Sequence, residues 1–164
     1  PAKTTTAVMG YSGVGKTTLL RILMGLEAMD SGTVTGIQGA RLAVVFQEDR
    51  LLEFMTPVGN IRLTAPSLSE EAIRKELTAM GLGGCMTQPV RELSGGMRRR
   101  VAILRALLAE SDVLLLDEPF KGLDEETKAC VIERTRILSA GKTVILVTHD
   151  EREAKAMGAG VIEL

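Results

Sequence analysis

A run of eight residues near the start of the chain has the types and spacing that bind phosphate groups. Its glycines let the backbone curl, so that successive peptide N–H groups point at phosphate oxygens. A short apolar run precedes the segment and a helical stretch follows it, as this pattern requires. The segment matches G-x-x-x-x-G-K-[ST] and consists of Gly10-Tyr11-Ser12-Gly13-Val14-Gly15-Lys16-Thr17.

The last residues of this phosphate loop predict which ligand it takes. The helix expected to start near Lys16 adds its positive N-terminal end to the site. We expect Lys16 to neutralise the β- and γ-phosphates of ATP, and the Thr17 hydroxyl to ligate Mg²⁺. Thr18 is expected to contact the α-phosphate. ATP and Mg²⁺ are therefore the predicted cofactors.

Two adjacent acids end an apolar run in the second half of the chain. Asp117 and Glu118 follow residues 113–116, which are all Val or Leu. In proteins with a phosphate loop, the acid at such a strand end holds Mg²⁺ through water, and this role fits Asp117. Glu118 is placed to accept a proton from an attacking water. Two surface acids would be the plain alternative, but the phosphate loop favours the functional interpretation.

Apolar runs and helical spacing predict the elements that position these residues. Short apolar runs with helical stretches between them are typical of a parallel sheet covered by helices. The sequence therefore predicts an α/β fold with a mainly parallel sheet flanked by helices. The predicted strands are 6–9, 42–46, 113–116 and 144–147, and the helical stretches include 19–24, 69–80 and 101–108.

The middle of the chain, from about Thr56 to Arg91, has helix signals and no convincing strand. Ile73, Leu77 and their neighbours are apolar at helical spacing, and Gly81 follows as a stop. We predict an inserted helical subdomain over 56–91 within a single domain spanning 1–164.

Composition excludes several classes of protein. Apolar residues make up 45% and charged residues 25% of the chain, which is ordinary for a globular protein. The net charge of −1 gives no basic field for nucleic acid, so no nucleic-acid partner is predicted, and Arg98, Arg99 and Arg100 are interpreted as a solvated helix face with ion pairs. No apolar run is long enough to span a bilayer, so a role at a membrane needs other subunits.

Further motifs give the chain a family resemblance. Residues 93–97, Leu-Ser-Gly-Gly-Met, lie upstream of the acid-ended strand and resemble the LSGGQ signature of ATP-binding cassette (ABC) proteins. Gln47 resembles the Q-loop glutamine, residues 122–124 resemble the D-loop, and His149 resembles the switch histidine. All six motifs stand in the order of the family. Met97 replaces the usual glutamine, and Lys121 replaces a usual small residue.

The resemblance implies roles for individual residues. Gln47 is expected to take part in Mg²⁺ binding and catalysis, and His149 to contact the γ-phosphate. Together with Lys16 and Glu118 they form the expected catalytic set. The family also stacks adenine on an aromatic residue upstream of the phosphate loop. This sequence starts too late to include that residue, so we expect the domain to be incomplete at its N-terminus.

The signature also predicts a second anion site. Ser94 is suited to cap a helix, and Gly95 and Gly96 bring bare backbone N–H groups forward. Since one chain already has a phosphate loop, a second site favours a head-to-tail homodimer. In the family, the signature of one subunit closes on the γ-phosphate that the other subunit holds. An ATP sandwich between two chains is therefore expected.

At the level of function, the resemblance implies the ATP-hydrolysing subunit of an ABC transporter. Its expected place is the cytoplasmic face of the cell membrane, bound to membrane-spanning permease subunits. Residues 46–52 and the Met97 signature are similar to bacterial importers of the nitrate, sulfonate and taurine group, which implies an extracytoplasmic solute-binding protein in the same system.

Three alternatives follow from the same motifs. A soluble ABC ATPase of the DNA-repair kind has long coiled coils between the motif halves, but only 45 residues separate Gln47 from Leu93 here. Translation factors of the family carry two cassettes, and this chain has one. A small-molecule kinase with a phosphate loop would not need the signature.

Overall fold

The computed structural model describes residues 2–164, within which five strands form one sheet. Every neighbouring pair of strands is parallel. The predicted α/β class with a parallel sheet is therefore confirmed. The strands are β1 (Thr5–Met9), β2 (Leu42–Val45), β3 (Val113–Asp117), β4 (Thr143–Val147) and β5 (Gly160–Glu163), in the order β2-β3-β4-β1-β5.

Helices occupy most of the connections between the strands. Two short 3₁₀ helices, Gly83–Cys85 and Val90–Glu92, lie between the longer ones. The α-helices are α1 (Lys16–Leu23), α2 (Pro57–Arg62), α3 (Glu70–Ala79), α4 (Gly95–Leu108), α5 (Glu125–Leu138) and α6 (Glu151–Ala156).

Side chains of the sequence set where these helices begin. Ser69, Ser94 and Asp124 each precede a helix in extended conformation, and each accepts a hydrogen bond from the backbone N–H three residues on. Such caps satisfy one of the free N–H groups at a helix start and stabilise the helix by ~1 kcal/mol. Gly81 follows α3 with φ of 70°, the left-handed conformation that stops a helix.

The apolar core is aliphatic apart from the buried Phe120, and it is continuous from the sheet to the middle helices. All five residues of β3 are buried, as expected for a central parallel strand. Ile61 of α2 and Ile73 and Leu77 of α3 belong to the same buried cluster as Leu114. Between residues 46 and 112 the structure has helices and no strand. The division into a core and a subdomain over 56–91 stays a prediction.

The register brings three strand ends to one edge of the sheet. Val147 of β4 pairs with Val8 of β1 on one side and with Asp117 of β3 on the other. The segments that follow these strands, namely the phosphate loop, Glu118 and His149, therefore leave the sheet side by side. In open parallel sheets, ligands bind outside the carboxyl ends of the strands.

Some elements were not predicted. The strand β5 and the helices α5 and α6 were not named from the sequence, and β2 ends one residue earlier than expected, before Phe46. All four residues of β5 are exposed at the sheet edge, so this strand has no core-type pattern. Among residues 2–164, no helix combines the length and the apolar composition that crossing a bilayer requires.

Candidate functional site

The phosphate loop lies between β1 and α1 and depends on glycine at three positions. Gly13 and Gly15 have φ of 87° and 108°, conformations that other residues rarely adopt. A Cβ at Gly10 would lie 3.0 Å from the carbonyl oxygen of Leu164 and from a methyl group of Val14. Leu164 and Val14 approach the backbone of Gly10 so closely that a side chain at this position would not fit.

Lys16 is the first residue of α1 and is buried within this loop. Its ammonium donates to the carbonyl oxygens of Gly10 and Tyr11, at 2.8 and 2.9 Å. These two bonds hold the positive charge inside the curve of the loop. Thr17 and Thr18, which follow it, are exposed on the first turn of the helix.

One cavity is lined by six of the nine residues from Gly10 to Thr18 that are predicted to bind ATP. It has a volume of about 180 Å³ and lies at the carboxyl edge of the sheet. Gln47 and Glu118 enter it from outside the loop, so the structure brings together parts that are far apart in sequence. Its lining residues are Ser12, Gly13, Gly15, Lys16, Thr17, Thr18, Gln47, Glu118 and Val147.

Beside this cavity, three side chains that carry oxygen atoms lie close enough together to bind a magnesium ion. The Thr17 hydroxyl donates to Asp117 Oδ2 at 3.0 Å, and the Gln47 amide nitrogen lies 3.5 Å from the Thr17 oxygen. Asp117 is buried, and its Oδ1 has no hydrogen-bond partner within the described part of the chain. Burial raises the pKa of Asp117, and the neighbouring charge of Glu118 adds to the effect, while the Thr17 bond opposes it.

The chemistry of these groups fits the ion. Nowhere in residues 2–164 do three His, Cys, Asp or Glu side chains cluster as a metal cage. Mg²⁺ does not need such a cage, because it keeps several waters and binds one or two carboxylates together with substrate phosphates. Thr17, Asp117 and Gln47 are the residues that would hold it, and the ion would supply positive charge next to the phosphates.

Glu118 stands immediately after β3 in an unusual backbone conformation. Its φ of 44° lies in the left-handed region, which is uncommon for a residue with a side chain. The Glu118 N–H donates to the carbonyl oxygen of Val147 at 2.9 Å, which ties the residue to β4. Strained backbone of this kind is concentrated at functional sites.

Two positive or potentially positive groups face the Glu118 carboxylate. Lys121 Nζ lies 2.9 Å from Oε2, and His149 Nδ1 lies 3.6 Å from Oε1. Burial raises the pKa of Glu118, but the contacts with Lys121 and His149 outweigh it, so the pKa stays below its ordinary value. The carboxylate is therefore ionised near neutral pH and able to accept a proton.

His149 follows β4, and its side chain is 66% exposed. The residues on either side of His149 are held in place by hydrogen bonds. Thr148 is buried and donates to the carboxylate of Glu153 in α6, and the Asp150 N–H donates to the Thr148 hydroxyl at 3.1 Å. The structure thus places the imidazole next to Glu118 on a fixed backbone, with its outer side free to meet a ligand.

Two residues of the signature, Gly95 and Gly96, line a different cavity. Ser94 is the cap of α4, and Gly95 and Gly96 form its first turn. The cavity has a volume of about 280 Å³, and Gln47 and Glu118 line it as well. The structure therefore separates Ser94–Gly96 from the phosphate loop, while Gln47 and Glu118 border both cavities.

The interpretation of the three arginines as a solvated face is wrong for Arg99. This residue is 5% exposed and turns inward from α4. Burial lowers its pKa, although Asp49 at 3.4 Å opposes the effect. The sequence does not single Arg99 out, because Arg100 stands at the same spacing before Leu104 and Leu107, which are also buried.

This fold and this site define a nucleotide-binding domain of the phosphate-loop class. The sequence also matches the family described as ABC transporter over residues 1–121. This chain belongs to that family.

Curated relatives match almost the whole chain. An aliphatic sulfonates import ATP-binding protein from Rhodococcus jostii is 44% identical over 95% of this chain, and one from Agrobacterium fabrum is 40% identical over 99%. A thiamine import ATP-binding protein from Mesorhizobium japonicum is 39% identical over 97% of this chain and 70% of its own length. The chain spans 66% of the length of each of the two sulfonate proteins.

Solved structures share the fold as well. RNase-L Inhibitor superposes with a TM-score of 0.86 at 28% identity, covering 99% of this chain and 32% of that protein. An ATP-binding cassette, solved as a dimer in a post-hydrolysis state with ADP and Pi, superposes with a TM-score of 0.81, also at 28% identity. That match covers all of this chain and 82% of the cassette.

Proposed function

We propose that this chain binds and hydrolyses Mg-ATP as the energy-coupling subunit of a bacterial importer. The observation that carries the proposal is the 180 Å³ cavity, where Lys16 and Thr17 of the phosphate loop face Gln47 and Glu118. The relatives named as import ATP-binding proteins support the transport role.

ATP binding is assigned to the phosphate loop. Lys16 places its ammonium against the β- and γ-phosphates, and the N-terminus of α1 faces the same charges. The backbone of Tyr11, Ser12 and Val14 completes the cradle between the glycines. Thr17, Asp117 and Gln47 would hold Mg²⁺, which would supply positive charge next to the phosphates.

Hydrolysis is assigned to Glu118 and His149. The Glu118 carboxylate accepts a proton from a water that attacks the γ-phosphorus, and the bond to the β-γ bridging oxygen breaks to give ADP and phosphate. His149 contacts the γ-phosphate from the position 3.6 Å from Glu118. Gln47, which lines the same cavity as Glu118, would help to hold the metal.

Lys16→Ala tests the nucleotide site. A hydrogen bond to a charged group contributes about 1.5–3 kcal/mol, so we expect ATP affinity to fall ~10- to ~100-fold and hydrolysis to fall with it. Isothermal titration with ATP and a phosphate-release assay measure both quantities. Lys75→Ala, which removes an exposed lysine of α3, is the matched control. Unchanged affinity and rate in Lys16→Ala would mean that ATP binds elsewhere.

Beside the metal residues, a larger cleft is suited to a permease. It measures about 490 Å³ and joins the exposed end of α1 to the residues around Gln47. Permease contact here would lie next to Thr17 and Gln47, and would couple transport to the state of the nucleotide. The apolar residues of its lining are Leu20, Met24, Leu26, Val44 and Phe46.

Leu26→Glu tests this docking cleft. Leu26 is 63% exposed, and burying a leucine on binding contributes ~1.5–3 kcal/mol. We therefore expect ~10- to ~100-fold weaker association with the permease, measured by co-purification from membranes. Ile137→Glu places the same charge on another exposed apolar residue, outside the cleft, and serves as the control. If the permease captures Leu26→Glu and Ile137→Glu equally well, it does not dock in this cleft.

Position in the cell and further partners follow from this proposal. The chain would be a peripheral subunit on the cytoplasmic face of the membrane, with no nucleic-acid partner. A solute-binding protein would deliver the solute on the other side. The names of the relatives favour an aliphatic sulfonate as the solute class, and transport of a labelled sulfonate into proteoliposomes of the assembled system tests it.

A further inference from the structure

Arg99 joins the signature helix to both segments that carry catalytic groups. Its buried guanidinium lies between the chain after β2 and the chain after β3. Nearly all of its partners are backbone carbonyl oxygens. Nε donates to Pro119 at 2.7 Å, Nη1 to Phe46 and Gln47 at 2.6 and 3.2 Å, and Nη2 to Asp117 and Glu118 at 3.1 and 2.8 Å.

Arginine is better suited than other residues to hold several backbone carbonyl oxygens at once. Its guanidinium presents five N–H donors in a rigid plane, whereas lysine has three donors on a flexible stem. The neighbouring residues differ sharply in their contacts. The Arg98 side chain donates to the carbonyl oxygen of Leu93 at 2.8 Å, just before its own helix, and Arg100 donates to its own helix and to the end of α3.

The bonds of Arg99 fix the strained backbone at Glu118. That residue is held from β4 through its N–H and from α4 through its carbonyl oxygen, at 2.9 and 2.8 Å. The same guanidinium holds the carbonyl oxygen of Gln47. A small displacement of α4 would therefore move both Glu118 and Gln47. Their side chains border the cavity of the signature and the cavity of the phosphate loop.

We propose that Arg99 is a positioning residue for ATP hydrolysis, which sets Glu118 and Gln47 in place relative to the signature helix. When Ser94–Gly96 meet a phosphate, Arg99 transmits the new position of α4 to the two catalytic segments. This inference rests on the proposed function, since it assigns Arg99 a part in the hydrolysis carried out by Glu118.

The expected kinetic result distinguishes a positioning role of Arg99 from a role in folding alone. Arg99→Lys keeps the charge but loses donors, and we expect kcat for ATP hydrolysis to fall ~10- to ~100-fold, the effect of misplacing a reacting group by ~1 Å. KM for ATP is expected to change less than about threefold, because none of the hydrogen bonds that Arg99 makes within residues 2–164 goes to the phosphate loop. Arg99→Gln should lose more of kcat than Arg99→Lys does.

Two controls accompany this measurement. Arg98→Gln changes an adjacent arginine of the same helix, and its kcat should stay close to that of the wild type. Thermal unfolding of each variant sets an assay temperature at least about 15 °C below its Tm, so that every molecule counted is folded. If Arg99→Lys is folded and keeps wild-type kcat, the proposal is overturned.

A double-mutant cycle tests the route through Glu118. In the Glu118→Gln background, Arg99→Lys is expected to slow single-turnover hydrolysis clearly less than it does in the wild type, because one of the two groups that it positions is already lost. If instead the two losses multiply, Arg99 acts independently of Glu118 and the proposal is wrong. A wild-type protein that hydrolyses no ATP would refute the proposed function itself, which is a different outcome from an active wild type with an equally active Arg99→Lys.

Discussion

Glu118→Gln is expected to bind Mg-ATP as the wild type does and to hydrolyse it ~10²- to ~10⁴-fold more slowly. Removal of a general base has an effect of this size. The amide keeps the shape of the side chain but cannot accept a proton from water. Binding should survive, because the substitution leaves unchanged both Lys16, which is proposed to bind the phosphates, and Thr17, which is proposed to bind Mg²⁺. Single-turnover phosphate release and equilibrium ATP titration measure the two effects separately.

The control for this variant is Glu126→Gln, which makes the same exchange at an exposed position of α5. Its hydrolysis rate should equal that of the wild type. Turnover of Glu118→Gln within a few-fold of the wild type would show that another group takes the proton, and the assignment of Glu118 would be wrong.

Ser94→Arg is expected to abolish an ATP-dependent dimer. In a two-fold symmetric sandwich, each ATP lies between the phosphate loop of one chain and the signature of the other, so one substitution damages both contacts. If each lost contact to a charged phosphate contributes about 1.5–3 kcal/mol, dimerisation weakens by ~10²- to ~10⁴-fold. Light scattering on the Glu118→Gln background, which retains ATP, should show a dimer with ATP and a monomer with ADP.

A second substitution separates the anion site from the helix cap. Ser94 also caps α4 through the Met97 N–H, and arginine removes that bond. Ser94→Asp keeps a cap, since aspartate is among the best N-caps, but it repels phosphate. Both variants should therefore stay monomeric with ATP, while Ser94→Thr should dimerise. A dimer in Ser94→Asp would show that the signature does not bind the phosphate of a partner.

The sequence predicted those parts of the structure in which local chemistry decides the conformation. The phosphate loop needs glycine at Gly13 and Gly15 because of their positive φ angles. The residues 113–116 of β3 are buried on both faces, and the residues 144–147 of β4 are buried except for half-buried Ile145, so both runs are apolar. The cap at Ser69 and the stop at Gly81 bound α3 almost where the sequence indicated.

Features that depend on distant contacts could not be predicted in this way. The strand β5 lies exposed at the edge, so only its pairing with β1 reveals it. In the sequence, Arg99 is one of three adjacent arginines with nothing to distinguish it. Only the folded structure shows that its guanidinium is surrounded by carbonyl oxygens. The contact of Lys121 with Glu118 could likewise not be predicted, although lysine is an unusual residue at this position of the family. The site roles themselves stay predictions that the variants above test.

The most direct test of the central claim is the ATPase rate of a mixture of Lys16→Ala and Ser94→Arg. Each variant alone should be inactive, because every site in its dimer has one damaged half. In a mixed dimer, Lys16 of the Ser94→Arg chain faces Ser94 of the Lys16→Ala chain, which restores one intact site. With random pairing, the mixture should recover up to about a quarter of the wild-type rate. A mixture that stays as inactive as its two components would contradict a shared site.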